Sequence, residues 1–146
     1  GADRKKYRTT DSIKFIEYVF NNFTYMNIEE LISNDFEIWK KENPNGITIL
    51  KGVSDYLDIQ YEEVPYPSIP VRSDLIDSFH TYIHYESTLN APITKGTPIG
   101  TITLELDGKT VYSGNIFINT DIERKNILDY LYYFYQSFPE IFNTIF

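Results

Sequence analysis

The fold is decided by the stretch Leu89-Asn90-Ala91-Pro92-Ile93-Thr94-Lys95-Gly96-Thr97-Pro98-Ile99-Gly100-Thr101-Ile102-Thr103-Leu104-Glu105-Leu106-Asp107-Gly108-Lys109-Thr110-Val111-Tyr112. From position 99 to position 106, polar and aliphatic residues alternate with a period of two, which is typical of a strand with one buried face. Asp107-Gly108 follows, and this dipeptide indicates a tight hairpin turn. Pro92 keeps Ala91 out of the helical region, and Gly96 and Gly100 permit a tight turn and a bulge. The stretch therefore predicts an extended segment followed by a β-hairpin.

Further strands are predicted on both sides of this hairpin. Residues 113–118 should pair back on the strand before the turn, and residues 47–50, 56–61 and 78–87 have strand-like composition. Pro65, Pro67 and Pro70 exclude a central strand between them, because proline cannot donate to a ladder. A strand-rich domain is therefore expected across the middle of the chain.

Helices are predicted around these strands. Residues 10–21 and 27–43 have apolar residues at helical spacing, and Asn27 is a suitable cap for the second helix. A short strand, 23–28, separates them. Asn119-Thr120-Asp121 is predicted to cap a helix from residue 122 to residue 137, where Pro139 interrupts it. The predicted fold class is mainly β (α+β): a small antiparallel β sandwich flanked by N-terminal and C-terminal helices.

Composition narrows the function classes. The chain has 146 residues, no cysteine and a formal net charge of −8. This length suits one domain with an appendage. The negative charge disfavours nucleic acid as a partner, since phosphates are bound by clustered lysine and arginine. The absence of cysteine excludes disulfides and thiol catalysis.

The glycine- and proline-spaced motif resembles a known family. Leu89-x-Ala91-Pro92-Ile93-x-x-Gly96-x-x-x-Gly100, leading into Leu106-Asp107-Gly108-Lys109, is similar to the C-terminal β domain of low-molecular-mass penicillin-binding proteins, the serine D-alanyl-D-alanine carboxypeptidases. A second set of residues, near the N-terminus, resembles the end of the catalytic domain of that family: Gly1-Ala2, Arg8, Asp11, Lys14, Tyr18-x-Phe20 and Phe23. The likeness covers residues 1–28 and 89–121. Biotinyl or lipoyl carrier domains are an alternative, but Lys109 lacks the flanking residues of a carrier lysine.

The resemblance implies that the chain consists of three segments. Residues 1–23 would be the end of the catalytic domain, a strand remnant and a helix. Residues 24–121 would be the C-terminal β domain with a helical insertion near 28–43, and residues 122–146 a C-terminal aromatic amphipathic helix. Residues 1–8 are charged and not followed by an apolar run, so any export signal is expected upstream.

The implied function is that of a non-catalytic module of a cell-wall D-alanyl-D-alanine carboxypeptidase, which positions the catalytic domain relative to membrane and wall. The implied location is extracytoplasmic, in the cell envelope, with membrane association through the parent protein. The implied partner is the catalytic domain of the same parent, together with the membrane surface, peptidoglycan or another envelope protein. The alternative is a stand-alone β module that binds peptidoglycan or protein.

No catalytic residue is predicted. The family's active site uses Ser-x-x-Lys, Ser-x-Asn and Lys-Thr-Gly to supply a nucleophile, a proton-handling residue and a substrate-aligning strand. The spacing is wrong at Ser12-Ile13-Lys14 and at Ser87-Thr88-Leu89-Asn90, and Lys109-Thr110-Val111 lacks the glycine. We therefore predict that the three motifs are absent and that this chain is not an enzyme.

Two other clusters are interpreted as structural. His80 and His84 lie in a predicted strand, where they would stand about 13 Å apart and could not share one ion. Glu62-Glu63, with Asp55 and Asp58, lies in a turn-rich segment where acids are solvated, so these carboxylates are not predicted to be a glycosidase pair. Neither a metal nor a cofactor is expected.

The terminal helices are the candidate contact surfaces. The apolar residues Ile13, Phe15, Ile16, Val19 and Phe20 should pack on a neighbour or on the β domain, because an exposed patch of that size attracts a partner. Either helix is also a candidate for self-association. The aromatic tail favours a cover over the β sandwich or a partner chain, with the membrane interface as the competing interpretation. The tail residues named as membrane or partner contacts are Tyr130, Tyr133, Phe134, Phe138 and Phe142.

Overall fold

The fold follows from a computed structural model that describes residues 2–145, and the side chains of residues 9–141, 143 and 144. The helices are α1 (Ala2–Asn22), α2 (Ile28–Glu42), α3 (Ile127–Ser137) and α4 (Pro139–Ile145), and a 3-10 helix spans Ser73–Ser78. The strands are β1 (Phe23–Asn27), β2 (Thr48–Leu50), β3 (Ile59–Tyr61), β4 (Ser68–Arg72), β5 (Phe79–Tyr85), β6 (Thr88–Asn90), β7 (Pro98–Leu106) and β8 (Lys109–Ile118). The chain is thus α+β, as predicted.

The chain divides into two compact units. The first comprises Gly1–Trp39, Glu63–Tyr82 and Thr103–Ser113, and the second comprises Lys40–Glu62, Ile83–Ile102 and Gly114–Phe146. Among the described residues, the largest sheet has the strand order β3-β8-β7-β5, and β3 pairs antiparallel with β8. The β7–β8 hairpin confirms the turn predicted at Asp107-Gly108.

The first unit is built on an antiparallel β1–β4 pair with α2. Phe23 lies opposite Arg72 and Asn27 opposite Ser68 in this pair. Asn27 Oδ1 accepts the Glu30 N–H at 3.0 Å, so the predicted cap of α2 is confirmed. The described core residues of this unit are Ile28, Ile32, Phe36, Val64, Val71, Leu104 and Tyr112.

The second unit contains a parallel β2–β6 pair, in which Ile49 lies opposite Leu89. An extended segment, residues 122–125, continues this pairing. Ile122 forms an antiparallel bridge with Ile93, and the Lys125 N–H donates to the Lys51 carbonyl at 2.7 Å. The described core residues of this unit are Leu89, Ala91, Ile93, Ile99, Ile102, Ile116, Ile118 and Ile122.

Several predicted elements are wrong in detail. α1 begins at Ala2, so the strand remnant predicted within residues 1–23 is a helix in the described residues. β4 runs through Pro70 but belongs to a two-stranded ladder, in which each strand is an edge, so the prediction that the prolines exclude a central strand is not contradicted. The pairing of β2 with β6 is parallel, whereas only antiparallel pairing was expected.

The predicted start of the terminal helix is also wrong. α3 begins five residues later than expected, and Asn126 rather than Asn119-Thr120-Asp121 caps it. Asp121 is used elsewhere, since its Oδ1 accepts the Lys95 N–H at 2.7 Å. Ile122 is held extended by its bridge to Ile93. These tertiary bonds override the local capping signal.

Candidate contact surfaces and the family motif

The family motif forms one buried and turn-rich corner of the second unit. Ala91 and Ile93 are buried, whereas Pro92 is exposed. Gly96 has a φ of +92°, and its N–H donates to the Ile118 carbonyl at 2.6 Å. Only glycine adopts this left-handed conformation without strain. The tight turn predicted at Gly96 is therefore present.

Gly100 has a different role from the predicted bulge. β7 runs through it without a break. A Cβ atom at this position would overlap the His84 carbonyl oxygen and lie 2.8 Å from Tyr85 Cα. The glycine is needed because the backbone of β5 approaches closely here.

The hairpin turn uses left-handed conformations at both central residues. Asp107 has a φ of 51° and Gly108 a φ of 77°. Positive values at both positions are the signature of the type I′ turn, which matches the twist of the flanking strands. The Asp107 N–H also donates to the Ser78 carbonyl at 3.2 Å. Asp107 and Gly108 therefore fix the end of the hairpin.

The acidic residues considered for catalysis hold strands together instead. Glu62 accepts two hydrogen bonds from Asn115, one from the backbone N–H at 3.1 Å and one from Nδ2 at 2.9 Å. Asp58 Oδ2 accepts from Asn119 Nδ2 at 3.0 Å. Asp58 precedes β3 and Glu62 follows it, so the two acids link the ends of β3 to β8 and to the residue after β8. This arrangement gives them a structural role.

One of the three catalytic motifs predicted to be absent does occur as a string of residues. Ser113-Gly114-Asn115 has the Ser-x-Asn spacing, so the prediction of absence was wrong for that motif. Its side chains are engaged within the sheet, since Asn115 Nδ2 donates to Glu62 and Ser113 Oγ lies 3.3 Å from Thr103 Oγ1. Ser-x-x-Lys and Lys-Thr-Gly are missing from the sequence. Ser113 therefore has no partner motif in this chain.

The histidines lie where the alternation predicted them. His80 and His84 are both exposed on β5, with Tyr82 between them on the same face. Residues two apart on a strand share a face, and the separation of four residues keeps the rings well apart. Among the described residues, no group of three or more potential metal ligands converges.

An exposed ion pair stands at the end of β4. Arg72 donates from Nε to Asp74 Oδ1 and from Nη2 to Asp74 Oδ2, both at 2.6 Å. The hydrogen bond from Arg72, followed by its charge, lowers the pKa of the Asp74 carboxyl, and donating that hydrogen bond to Asp74 raises the pKa of Arg72. Such a bidentate pair fixes the local geometry of the 3-10 helix.

The C-terminal helices form an exposed surface. No described residue of α3 is buried. The helical repeat places Ile127, Leu131 and Phe134 along one side of α3, and the ring of Phe138, the residue after the helix, contacts Phe134. We call these four residues the C-terminal stripe. Their exposed fractions lie between 38% and 75%, and the Phe134 and Phe138 ring centroids are 5.2 Å apart. The interpretation that this helix covers the β sandwich is therefore wrong.

The opposite side of α3 is polar. It carries Asp129, Tyr132, Tyr133 and Gln136, and Gln136 Nε2 donates to the Tyr132 hydroxyl at 2.8 Å. Of the predicted contact residues, Phe134 and Phe138 lie on the C-terminal stripe, Tyr130 flanks it and Tyr133 lies away from it. The side chain of Phe142 is outside the described residues. Ile127 and Leu131 were missed, although their spacing with Phe134 shows an amphipathic face once the helix start is known.

A second exposed apolar surface lies on α1. Phe15 and Phe20 are 68% and 81% exposed, and Ile13 and Ile16 are about half exposed. Between α1 and the β1–β4 pair is a groove of about 380 Å³. It is lined by Phe15, Ile16, Val19, Phe20, Phe23, Tyr25 and Pro70. The expectation that the β domain would cover this face is therefore wrong, and the expectation of a neighbour stays a prediction.

Comparison with known proteins decides the family. Residues 35–124 match the family model described as the C-terminal domain of penicillin-binding protein 5. The chain belongs to this family. The matched residues include the middle of the chain, which the sequence motif did not cover, and they exclude residues 1–28, which it did.

Relatives of this penicillin-binding protein 5 C-terminal domain are longer proteins. The D-alanyl-D-alanine carboxypeptidase DacA of Escherichia coli (strain K12) is 26% identical over 138 residues, covering 84% of this chain and 34% of the relative. A penicillin binding protein 5 structure from Haemophilus influenzae is 20% identical over 82% of this chain and 32% of that chain, with a TM-score of 0.43. DacD from Francisella tularensis is 14% identical over 83% and 28%, with a TM-score of 0.42. The chain spans about a third of the length of the relatives it matches.

The two exposed helices lie outside the residues that match the family model. α1 precedes residue 35 and α3 follows residue 124. Across the part of the chain that the structure describes, every helix falls short of the length and apolarity that a membrane span requires.

Proposed function

We propose that this chain is a non-catalytic module of a D-alanyl-D-alanine carboxypeptidase of the cell envelope, which positions a catalytic domain relative to the membrane. The match of residues 35–124 to the penicillin-binding protein 5 C-terminal domain carries the proposal. The Escherichia coli relative is a D-alanyl-D-alanine carboxypeptidase, and this activity is the one we propose for the parent protein.

The sequence order of the exposed surfaces supports a positioning role. Helix α1, which forms one wall of the groove, comes before the matched residues, and the C-terminal stripe comes after them. An exposed apolar helix on each side of the matched residues in sequence offers one surface for the catalytic domain and another for the membrane.

The two surfaces are assigned to different occupants. The groove at α1 is proposed to receive the catalytic domain of the same parent protein, since an apolar patch of this kind marks an interface. The C-terminal stripe is proposed to lie in the membrane interface, where aromatic and aliphatic residues on one side of a helix are buried among lipid head groups. The proposed location is therefore extracytoplasmic and membrane-associated.

Vesicle binding tests the membrane contact. The chain should co-sediment with vesicles of mixed phosphatidylcholine and phosphatidylglycerol. Replacing Leu131→Ser and Phe134→Ser should weaken binding at least about ten-fold, since each buried side chain of this size contributes about 1.5 kcal/mol or more.

A matched control uses the polar side of the same helix. Tyr132→Ser together with Gln136→Ser removes side chains of similar size at neighbouring positions and has a similar effect on helix propensity. This control should bind like the unaltered chain. Equal binding by the stripe variant and the control would contradict the proposal.

A fluorescent penicillin tests the non-catalytic assignment. Acylation requires an activated serine, and Ser113 has neither a Ser-x-x-Lys nor a Lys-Thr-Gly partner in this chain. No covalent adduct is expected after incubation and denaturing electrophoresis. An adduct that Ser113→Ala removes would overturn the assignment.

A further inference from the structure

We propose that Asn45 is a site of covalent modification, at which the side-chain amide is lost as ammonia and aspartate or isoaspartate takes its place. The reaction requires only water. Its rate is governed by the tight turn that runs from Asn43 to Gly46. This inference is independent of the proposed positioning role.

Asn45 differs from the other asparagines in its neighbour and in its surroundings. It is the only asparagine of the chain that is followed by glycine. Glycine has no Cβ, so no side chain hinders attack by its backbone nitrogen. Asn45 is also exposed to solvent. Five other asparagine side chains are held by hydrogen bonds within the protein: Asn22, Asn27, Asn115, Asn119 and Asn126.

The reaction proceeds through a five-membered cyclic imide. The backbone nitrogen of Gly46 attacks Cγ of Asn45, so that an N–Cγ bond forms and the Cγ–Nδ2 bond breaks. Nδ2 leaves as ammonia and takes up the proton of the Gly46 amide. Water then opens the ring: attack at Cγ gives aspartate, and attack at the backbone carbonyl carbon gives isoaspartate. Either product replaces a neutral amide with a carboxylate and makes the net charge of −8 more negative.

The turn keeps the reacting atoms apart. The Gly46 N–H donates to the Asn43 carbonyl at 3.1 Å, with Pro44 and Asn45 at the two central positions. Among the described residues other than glycine, a positive φ occurs only at Lys51 and Asp107, so the turn is type I rather than type II. The second central residue of a type I turn has a ψ of about 0°, which directs the next nitrogen away from the side-chain amide. The ring therefore closes only when the turn opens.

The isoaspartate product should disturb the strand that follows. A Cβ placed on Gly46 would lie 3.1 Å from both Asn43 Cβ and Tyr85 Oη, so the turn is closely surrounded. The Thr48 N–H at the start of β2 donates to the Ser87 carbonyl at 2.8 Å. Isoaspartate inserts a methylene into the backbone between the turn and β2, whereas aspartate leaves the backbone unchanged. Only isoaspartate should therefore weaken the start of β2.

Peptide mapping tests the site. The full chain is incubated at mildly alkaline pH, because the deprotonated amide nitrogen is the attacking species. Isoelectric focusing should show one acidic form, which mass spectrometry of the digest assigns to Asn45. Asn45→Gln should abolish this form, whereas Asn90→Gln, a change at another exposed asparagine, should leave it. Persistence of the acidic form in Asn45→Gln, or its absence from the unaltered chain, would overturn the proposal.

The rate tests the control by the turn. Pro44→Ala loosens the turn and should accelerate the loss of ammonia about two- to five-fold, the effect of one proline on chain freedom. Unfolding in urea should accelerate it by about five-fold or more, since one hydrogen bond contributes a factor of that size. Equal rates in the folded chain, in Pro44→Ala and in urea would show that the turn does not govern the reaction.

Hydrogen exchange tests the consequence for β2. In the isoaspartate form, separated by chromatography, the Thr48 amide should exchange about five-fold faster, which corresponds to one weakened hydrogen bond. Asn45→Asp is the matched control, because it adds the same charge without the methylene, and its Thr48 amide should exchange as in the unaltered chain. Equal exchange in the isoaspartate form and in Asn45→Asp would contradict a backbone effect on β2.

Discussion

At the scale of single residues, the close approach of β5 to Gly100 predicts that a larger residue at this position lowers the stability of the fold. A methyl group there would overlap the His84 carbonyl oxygen, so Gly100→Ala forces β5 and β7 apart. We expect a loss of about 1–3 kcal/mol in the free energy of unfolding, the usual cost of overpacking, measured by urea denaturation. Thr101→Ala, one residue along the same strand, is the control and should cost less. Equal stability of Gly100→Ala and the unaltered chain would contradict the close approach.

The Arg72–Asp74 pair predicts a dependence of stability on pH. Because the hydrogen bond from Arg72 lowers the pKa of Asp74 in the folded chain, the ionised carboxylate stabilises the fold above the ordinary aspartate pKa. This contribution is lost as the pH falls through the lowered folded-state pKa. The pair is exposed, so the effect should be small.

Removing the guanidinium tests the sign of that effect. In Arg72→Gln, the pKa of Asp74 should return towards its ordinary value, and the urea midpoint should fall less on acidification than in the unaltered chain. A steeper fall in the variant would refute the assigned direction. Lys95→Gln, another exposed cation, is a control that should leave the acid dependence unchanged.

At the scale of elements, the capping box of α3 predicts a local rather than a global loss of stability. Asn126 Oδ1 accepts the Asp129 N–H at 3.0 Å, and Asp129 Oδ2 accepts the Asn126 N–H at 2.8 Å. Asn126→Ala should destabilise the helix by about 1 kcal/mol. Since α3 buries no residue, the urea midpoint of the sheet should not move.

Amide hydrogen exchange separates these two effects. Amides of α3 should exchange faster in Asn126→Ala, while amides of β8 keep their protection. Asn126→Ser, which can also cap, should restore slow exchange in α3. Faster exchange in β8 would mean that α3 is coupled to the sheet, contrary to its exposure.

The same elements show how far sequence patterns can be used. The hairpin and α2 were predicted correctly because their signals are local: Asp107-Gly108 at the turn, and Asn27 at the cap. The start of α3 was predicted wrongly, since Asp121 accepts a hydrogen bond from Lys95 and Ile122 forms a β-bridge with Ile93. Both partners are distant in sequence. Pairing between distant strands, such as parallel β2–β6, likewise has no local signature.

At the scale of the whole molecule, the sequence motif identified the family, but the contact surfaces depend on the three-dimensional structure. Ala91, Gly96 and Gly100 marked a backbone that few other residues could follow, and the family comparison agreed. The C-terminal stripe could not be drawn while the start of α3 was misplaced, because the face of each residue depends on the helical segment to which it belongs. Burial likewise depends on what packs nearby, which explains why the exposed α1 face was predicted to be covered by the β domain.

The groove at α1 allows a direct test of the proposed partner. The chain contains no cysteine, so Phe20→Cys introduces a single thiol at a position that is 81% exposed. In this chain the thiol should react rapidly with a maleimide reagent. In a longer protein that includes the proposed catalytic domain, the same thiol should react on the order of ten-fold more slowly. The reason is that a domain packed against α1 would leave the thiol accessible only when the two transiently separate.

A second cysteine variant, away from the groove, serves as the control for this experiment. Tyr56→Cys lies at a position that is 70% exposed in the second unit, and its thiol should react equally fast in both forms. If both thiols slow together, the longer protein protects the chain in general and the groove has no special partner. Equal rates at Phe20→Cys in the two forms would show that the catalytic domain does not cover α1. Slow reaction at Phe20→Cys but not at Tyr56→Cys would show that the catalytic domain contacts α1 specifically, because the control position then stays accessible.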